Sequence, residues 1–201
     1  MTADFSWIRS DSCGLHIVPS GCWIDPARPV GLALVTHGHA DHARGGHGRT
    51  LATAETLAIM DLRFAAGEGG GVTGEAVAYG ETVGLPGGVT ATFLPAGHVL
   101  GSAQILLEHA GERVIVTGDY KRRPDPTCAP FEPVPCDIFI TEATFGLPVF
   151  RHPATEEEVD RLLQRLHDNP DRCILVGAYA LGKAQRLIME LRGRGHHDPI
   201  Y

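Results

Sequence analysis

The chain has 201 residues, of which 43 % are hydrophobic and 20 % are charged, and its formal net charge is −7. This composition is typical of a globular protein with one large domain, or with one domain and part of a second, and no apolar run is long enough for a membrane helix. The negative charge argues against a protein that coats nucleic acid non-specifically.

The first part of the chain alternates short strand-like runs with Gly/Pro turns, as a β-rich domain does. GLHIV (14–18) and GCWID (21–25) predict a hairpin, and the nearly continuous apolar run GLALVTH (31–37) predicts a strand covered on both faces. A helix is expected over 54–64, and the glycine-rich residues 67–74 predict a loop. Four further strands are expected: AVAYG (76–80), VTATFLPA (89–96), QILLEHA (104–110) and RVIVTGD (113–119).

The pattern then changes to an alternation of strands and helices. DIFITEA (137–143) predicts a strand. A helix is expected from Thr155, which has the capping-box spacing to Glu158, and the glutamates of EEE favour a helix N-terminus. CILVGA (173–178) predicts a buried strand, and GKAQRLIMELRG (182–193) predicts a helix that ends at its last glycine.

Potential metal ligands are concentrated in the motif HGHADH, at the end of the predicted strand over 31–37. The motif places four such side chains within six positions: His37, His39, Asp41 and His42. Imidazole and carboxylate groups without thiolate suit zinc, manganese or iron. Hydrogen bonding alone would explain one histidine here, but four such side chains at one strand end predict a metal centre.

Two later segments contain further candidate ligands. His98 follows a predicted strand in LPAGHVLGSAQ (94–104), among small residues that leave the backbone close to whatever His98 binds. Asp119 ends the β-branched run RVIVTGD, where its carboxylate lies at the C-terminal edge of a strand. Each residue alone is typical of a turn, but together with HGHADH both are predicted ligands.

The three motifs HxHxDH, GHxxGSA and VxTGD resemble those of the metallo-β-lactamase fold. The resemblance implies an α/β protein, a four-layer αβ/βα sandwich that holds two divalent ions, zinc or manganese, at one edge. It also implies a division of the ligands: His37, His39 and His98 bind one ion, Asp41 and His42 bind the other, and Asp119 bridges both.

Three other stretches resemble the nucleases of this fold that carry a β-CASP region. FITEATFG (139–146) is similar to the β-CASP acidic motif, with Glu142 as its acidic residue. TGDYKRRPDPTCAPFEP (117–133) and AYALGKAQRL (178–187) are similar to segments of the bacterial ligase-associated DNA exonucleases.

The resemblance also implies a division into domains. Residues 1–150 would form the N-terminal part of a metallo-β-lactamase-like domain, and residues 151–201 the start of a β-CASP domain. In the family this region continues into motifs B and C and a last metal ligand, all of which would follow Tyr201. We therefore expect the chain to be truncated at its C-terminus.

The implied function is a metal-dependent phosphodiesterase, a DNA exonuclease of DNA repair in which two ions activate water for in-line attack. Asp41 would orient the nucleophile as well as bind metal. Glu142 would fix a ligand histidine, or would be a surface carboxylate. Lys183 and Arg186 open the last predicted helix, where they would contact phosphate or form a solvated helix face.

Three alternative functions stay open. An RNA-processing nuclease of the mRNA 3′-end type would share these motifs. A small-ester hydrolase of the glyoxalase II kind would leave Glu142 and the ALGKAQR helix without a role. A non-catalytic binding or scaffold protein would usually have lost ligands, whereas all six upstream positions are intact here.

Cysteine usage and family resemblance lead to expectations about compartment and partners. The five cysteines are odd in number and form no Cys-x-x-Cys pair, so they predict neither a disulfide framework nor a thiolate zinc site. The N-terminal residues show no secretory signal. We expect a cytoplasmic protein that binds nucleic acid, DNA rather than RNA, and no membrane. Association with a DNA ligase or a helicase is implied by the resemblance alone.

Overall fold

The computed structural model describes residues 7–64 and 72–201. The chain divides into two compact units: the first runs to Pro124 and includes Cys128–Glu142, and the second consists of Asp125–Thr127 and Ala143–Tyr201. The division after Glu142 lies near the domain boundary expected at residue 150, and that boundary stays a prediction.

The first sheet of the first unit has six short strands: β1 (Ile8–Ser10), β2 (Leu15–Ile17), β3 (Cys22–Ile24), β4 (Leu32–Leu34), β5 (Arg49–Ala52) and β6 (Gly74–Ala76). They follow one another in chain order, antiparallel from β1 to β3 and parallel from β3 to β6. The predicted hairpin is confirmed as β2 and β3. Because parallel strands end at one edge of a sheet, the residues that follow β3 and β4 lie near each other.

The second sheet has five strands: β7 (Thr82–Leu85), β8 (Val89–Pro95), β9 (Ala103–His109), β10 (Glu112–Val116) and β11 (Ile138–Ile140). Their order is β11-β10-β9-β8-β7, and only β10 and β11 are parallel neighbours in this sheet. The strands expected over 89–96, 104–110 and 113–119 are confirmed, with small differences at their ends.

The main core lies between the two sheets. Ile24, Leu34 and Leu51 of the first sheet belong to the same buried cluster as Phe93 and Ile105 of the second, and each is at most 3 % exposed. Apolar runs such as LAL in β4 and ILL in β9 suit strands that have no solvent face. The α/β class predicted from the sequence is therefore confirmed by two packed sheets with helices.

Helix α1 (Ala54–Phe64) covers the outer face of the first sheet. Its buried residues Leu57 and Met60 pack in one cluster with Ala33 and Ala52, whose small side chains allow the helix to approach the strands closely. The bounds of α1 are those expected from the sequence.

The second unit contains the helices α2 (Thr155–Asp168) and α3 (Lys183–Gly193), which pack against each other. Each buries one apolar side chain, Val159 in α2 and Leu191 in α3. Both helices expected from the sequence are confirmed. Within the described ranges, no helix combines the length and the apolar character that crossing a membrane requires.

Two of the predicted strands are wrong. Residues 77–80 leave β6 as a turn, in which Gly80 has φ +79°. CILVGA (173–178) is irregular and mostly exposed, because no strand of the described residues offers its backbone a hydrogen-bonding partner. Of the predicted loop over 67–74, residues 67–71 lie outside the described residues, and Gly74 begins β6.

The predicted capping box of α2 is also wrong. Ala154 occupies the N-cap position and makes no side-chain hydrogen bond to the helix. The hydroxyl of Thr155 instead accepts a hydrogen bond from Nη2 of Arg186 at 2.9 Å. A contact between the two helices therefore replaces the local bond that the sequence spacing predicts.

Candidate metal centre

The first histidine loop begins where the chain leaves β4. His37 is buried, with 1 % of its surface exposed. The next residue is Gly38. A Cβ at this position would lie only 2.9 Å from the side chain of Ile59 in α1, so glycine allows the loop to pass close to the helix. The N–H of His42 bonds to the carbonyl oxygen of His39 at 3.1 Å, which folds HGHADH into a compact turn.

The second histidine loop follows β8. Gly97 has φ +71°, and a Cβ there would overlap the carbonyl oxygen of Lys121, so glycine is required. The hydroxyl of Ser102 accepts the N–H groups of His98 and Val99 at 3.0 and 3.2 Å. These two bonds fix the backbone that carries the His98 imidazole.

The third segment brings Asp119 to the same edge from the end of β10. Gly118 precedes it with φ +54°, and a Cβ at Gly118 would lie only 2.5 Å from the hydroxyl oxygen of Thr36. The carbonyl oxygen of Thr36 accepts the N–H of Ala103 at 2.7 Å. Thr36 is therefore the point where the segments that carry the predicted ligands meet.

Four of the predicted ligands converge. Their ligand atoms all lie within 4.8 Å of one another, in the group His37, His39, His98 and Asp119. Nδ1 of His39 is 3.0 Å from Nε2 of His37 and 3.2 Å from Nε2 of His98. The same Nε2 atoms of His37 and His98 are 3.8 and 3.5 Å from Oδ2 of Asp119. The cluster can therefore hold a divalent metal ion.

Burial sets the protonation of this cluster. It lowers the pKa of His98 to about 4, with a further contribution from the neighbouring His39, and it holds the pKa of His37 far below its usual value. Burial also raises the pKa of the Asp119 carboxyl. At pH 7 the imidazoles of His37 and His98 are neutral, which is the form that binds a metal ion.

His42 is not one of the four clustered ligands, but it lies beside Asp119, which is. Its Nε2 is 3.6 Å from Oδ1 of Asp119, whereas His37 and His98 approach Oδ2. The two oxygens of this carboxylate thus face different histidines. Burial by itself lowers the pKa of His42, but the hydrogen bond and negative charge of Asp25 raise it above its usual value.

Asp25 is a site residue that the sequence reasoning missed. Its carboxylate accepts hydrogen bonds from Nδ1 of His42 at 2.8 Å and from the N–H and hydroxyl of Thr36 at 2.8 and 2.6 Å. Because a carboxylate only accepts, Nδ1 carries the proton, and in the neutral form of the ring Nε2 of His42 keeps a lone pair for a metal. The available signal was an aspartate at the end of the strand-like run GCWID, the same signal that identified Asp119.

The predicted catalytic residues Asp41 and Glu142 line a cavity of about 290 Å³, whose other ionisable wall residues are Asp25, His42 and Asp119. The Asp41 side chain is 78 % exposed, and its Oδ2 lies 3.7 Å from Nε2 of His42. Burial has the largest effect on the pKa of His98 and Asp119, lowering the first and raising the second. The negative charge of Glu142 acts on both in the upward direction and so partly opposes the effect of burial on the pKa of His98. Carboxylates gathered at one cavity repel one another unless cations or protons neutralise them, so this donor set suits divalent ions.

The predicted phosphate contacts lie in the second unit. Nζ of Lys183 is 4.6 Å from the centre of the Tyr179 ring. Arg186 is bound within its own unit: besides its bond to Thr155, its Nε lies 3.5 Å from Oδ2 of Asp125. Arg186 therefore has a structural role, and contact of either side chain with phosphate stays a prediction.

Comparison with known proteins gives several named relatives. A "Probable DNA ligase" of Opitutus terrae is 33 % identical over 189 residues, which cover 92 % of this chain and 18 % of the relative. An "Endoribonuclease YSH1" of Mycosarcoma maydis is 30 % identical over 212 residues, covering 86 % of this chain and 24 % of the relative. A "Cleavage and polyadenylation specificity factor subunit 3" of Dictyostelium discoideum is 36 % identical over 125 residues, covering 57 % of this chain and 16 % of the relative.

The chain thus spans only 16–24 % of the length of these relatives. A solved structure, a protein of unknown function from Enterococcus faecalis V583, matches with a TM-score of 0.56 at 14 % identity and covers 80 % of this chain and 44 % of its own. That likeness supports the fold alone. The family model described as "Metallo-beta-lactamase superfamily" matches residues 25–177, which include every residue of the His/Asp cluster. The chain therefore belongs to the metallo-β-lactamase superfamily.

Proposed function

We propose that this chain forms the metal-binding part of a metal-dependent nuclease, a DNA exonuclease that acts in DNA repair. The observation that carries the proposal is the convergence of three histidines and Asp119 beside a cavity lined by further carboxylates. Two of the relatives are named as an endoribonuclease and as a probable DNA ligase, and both names denote enzymes of phosphodiester chemistry.

In this proposal, the six predicted ligands would hold two ions: His37, His39 and His98 would bind one, Asp41 and His42 would bind the other, and Asp119 would contribute to both. Asp119 suits the shared position because its Oδ2 lies near His37 and His98 while its Oδ1 lies near His42. Zinc or manganese held there would supply activation of water and stabilisation of the negative charge that develops on the phosphate.

The protein side chains have separate tasks in the proposed reaction. Asp41, which is exposed at the cavity, accepts a hydrogen bond from the attacking water and so orients it towards phosphorus. Asp25 holds His42 in the tautomer that leaves Nε2 available. Glu142 acts on His98 and Asp119 through its charge and helps to position them. Lys183 binds a phosphate of the strand, and Arg186 contributes mainly by supporting the helix that carries it.

We propose DNA as the substrate on the similarity to the relative named as a probable DNA ligase, which is 33 % identical over 92 % of this chain. A DNA ligase is accordingly the proposed working partner. None of the five cysteines, all of which lie within the described residues, forms a disulfide bond, and we propose a reducing compartment such as the cytoplasm. RNA processing is the second candidate function, supported by the relative named as an endoribonuclease.

The test uses the protein expressed from its complete coding sequence, beside Asp41→Asn and Asp119→Asn variants. Each protein is incubated with manganese or zinc and with end-labelled DNA and RNA strands of one sequence. We expect progressive shortening of DNA that both variants lose. Preferential cleavage of RNA would move the protein to the RNA-processing class. Bound metal without cleavage of either polymer would favour a small-ester hydrolase or a scaffold.

A further inference from the structure

Helix α1 contacts both histidine loops, although it contributes no ligand itself. Its 11 residues span about 16 Å, so its two ends reach different parts of the site. The N-terminal end contacts the loop of His98, and the C-terminal end contacts the loop that carries His37 and His39. The bonds at each end are to backbone carbonyl groups rather than to the imidazoles.

At the N-terminal end, two threonine hydroxyls donate to the carbonyl oxygen of Gly101, Thr53 at 2.6 Å and Thr56 at 3.1 Å. Both threonines are buried, at 2 % and 0 % exposure. Gly101 directly precedes Ser102, whose hydroxyl binds the N–H of His98. A Cβ at Gly101 would lie 2.8 Å from the Thr53 hydroxyl oxygen, so the helix and the loop are in direct contact.

At the C-terminal end, the guanidinium of Arg63 binds both sides of the HGHADH turn. Nη2 donates to the carbonyl oxygen of Gly38 at 2.6 Å, and Nη1 donates to that of Ala43 at 3.3 Å. Gly38 separates the first two histidines of the motif, and Ala43 follows the last one. One planar group therefore connects the beginning and the end of the ligand run. An ammonium group has no such fixed pair of donors.

We infer that α1 is a positioning element of the metal centre, in which Arg63 at one end and Thr53 with Thr56 at the other hold the two histidine loops at their binding distance. The inference rests on the proposed function only in taking the histidines of these loops as ligands. Its physical basis is preorganisation: a loop already held in its binding geometry loses less conformational entropy when the ion binds.

The variants distinguish the loss of the hydrogen-bond donors at the ends of α1 from a general disturbance of the fold. Arg63→Met removes both donors but keeps most of the aliphatic stem, and Arg63→Lys keeps the charge without the two-donor geometry. Arg49→Met is the matched control, because Arg49, the first residue of β5, also makes two side-chain bonds, both to Glu75 of β6. Thr53→Val removes the hydroxyl at the other end, whereas Thr53→Ser retains it.

Three readouts are taken on the protein from the complete coding sequence: zinc affinity by competition with a chromophoric chelator, the absorption spectrum of the cobalt-loaded protein, and urea unfolding without metal. We expect Arg63→Met to bind zinc about 10–100-fold more weakly and to shift the cobalt bands, with Arg63→Lys between it and wild type. Thr53→Val should lose affinity and Thr53→Ser should restore it. Arg49→Met should leave both metal readouts unchanged.

The outcomes distinguish the inference from the proposed function. If Arg63→Met folds and binds zinc as tightly as wild type, the inference is overturned and the proposed ligands stand. An equal loss of affinity in Arg49→Met overturns it as well, because the effect would not be specific to α1. If Arg63→Met does not fold, the Thr53 pair decides, and wild-type affinity of Thr53→Val overturns the inference. A wild-type protein that binds neither zinc nor manganese overturns the proposed function and, with it, the inference.

Discussion

Nδ1 of His42 donates a hydrogen bond to Oδ2 of Asp25 at 2.8 Å, and the same carboxylate accepts both donors of Thr36. This relationship joins the end of β3 to the residues that follow β4. Asp25 has φ +45°, a left-handed conformation that Asp and Asn tolerate better than most other residues with a side chain. Asp25→Asn therefore tests the carboxylate with little change in backbone preference.

We expect Asp25→Asn to weaken zinc binding by about tenfold or more, because an amide cannot accept all of these bonds and carries no charge to orient His42. The loss of this partly buried acceptor should also lower the free energy of unfolding by about 1–3 kcal/mol. Chelator competition and urea unfolding measure the two effects. Asp11→Asn is the control, since Asp11 also accepts backbone N–H groups but in an exposed turn. Equal zinc affinity of wild type and Asp25→Asn would contradict the orienting role.

A second prediction compares two glycines that share a left-handed backbone. Gly118 and Gly21 have φ +54° and +61°, so an alanine at either position should cost about 1–2 kcal/mol in conformation. At Gly21 a Cβ meets nothing within 4 Å, whereas at Gly118 it lies 2.5 Å from the Thr36 hydroxyl. Gly118→Ala should therefore lose about 1–3 kcal/mol more than Gly21→Ala in urea unfolding and should also weaken zinc binding. Equal losses in the two variants would show that Thr36 moves aside freely.

The metal cluster could be predicted from sequence because its ligands lie in short motifs at strand ends. His37 and His39 are two positions apart, and one turn brings them together whatever the rest of the fold does. Asp25 is different, since its partners Thr36 and His42 are 11 and 17 residues away. A single aspartate after a strand is also common in turns, so only the parallel pairing of β3 and β4 reveals its role.

Helix α1 could be predicted from local sequence, whereas the state of the segment CILVGA depends on residues far along the chain. The bounds of α1 could be read from local sequence because the hydrogen bonds of a helix join residues close along the chain. CILVGA has the composition of a buried strand, yet Leu175 is 91 % exposed and the described residues offer this segment no pairing strand. Strand propensity reports how well side chains suit a sheet and says nothing of whether a neighbouring strand is present.

A third prediction concerns the thiol of Cys22, which is fully buried in the main core. Burial raises its pKa from the usual 9.0 to about 11, and the contact with Ser20 only partly opposes this. The folded state therefore holds the thiol proton more tightly than the unfolded state. The corresponding stability is present below pH 9 and is lost as the pH rises through 11.

Between these pH values, the free energy of unfolding of wild type should fall by about 1–3 kcal/mol relative to that of Cys22→Ala. Urea unfolding at several pH values measures the difference and cancels the contribution of other titrating groups. Cys173 is exposed and serves as the internal comparison for reactivity. At mildly alkaline pH, N-ethylmaleimide should label Cys173 and leave Cys22 unmodified in the native protein. Parallel pH profiles of wild type and Cys22→Ala would contradict the prediction.

The last prediction separates two basic residues that lie one turn apart on α3. Arg186 binds Asp125, whose side chain is only 3 % exposed, so Arg186→Met should lower the free energy of unfolding by about 1–3 kcal/mol. Lys183 contacts the ring of Tyr179 at 4.6 Å. Its replacement by methionine should change stability by no more than about 0.5 kcal/mol.

If Lys183 binds phosphate, Lys183→Met should weaken DNA binding to a similar degree for all sequences and should reduce the salt dependence of log K by about one unit. Fluorescence anisotropy of a labelled strand at several salt concentrations measures both. Arg161→Met is the control, because Arg161 is a 65 % exposed cation of the same unit whose partner is Glu158 on its own helix. A reduced salt slope in Arg161→Met but not in Lys183→Met would move the phosphate contact from α3 to α2. A loss of DNA binding in Arg186→Met alone, in step with its loss of stability, would mean that this helix supports the fold and does not contact the strand.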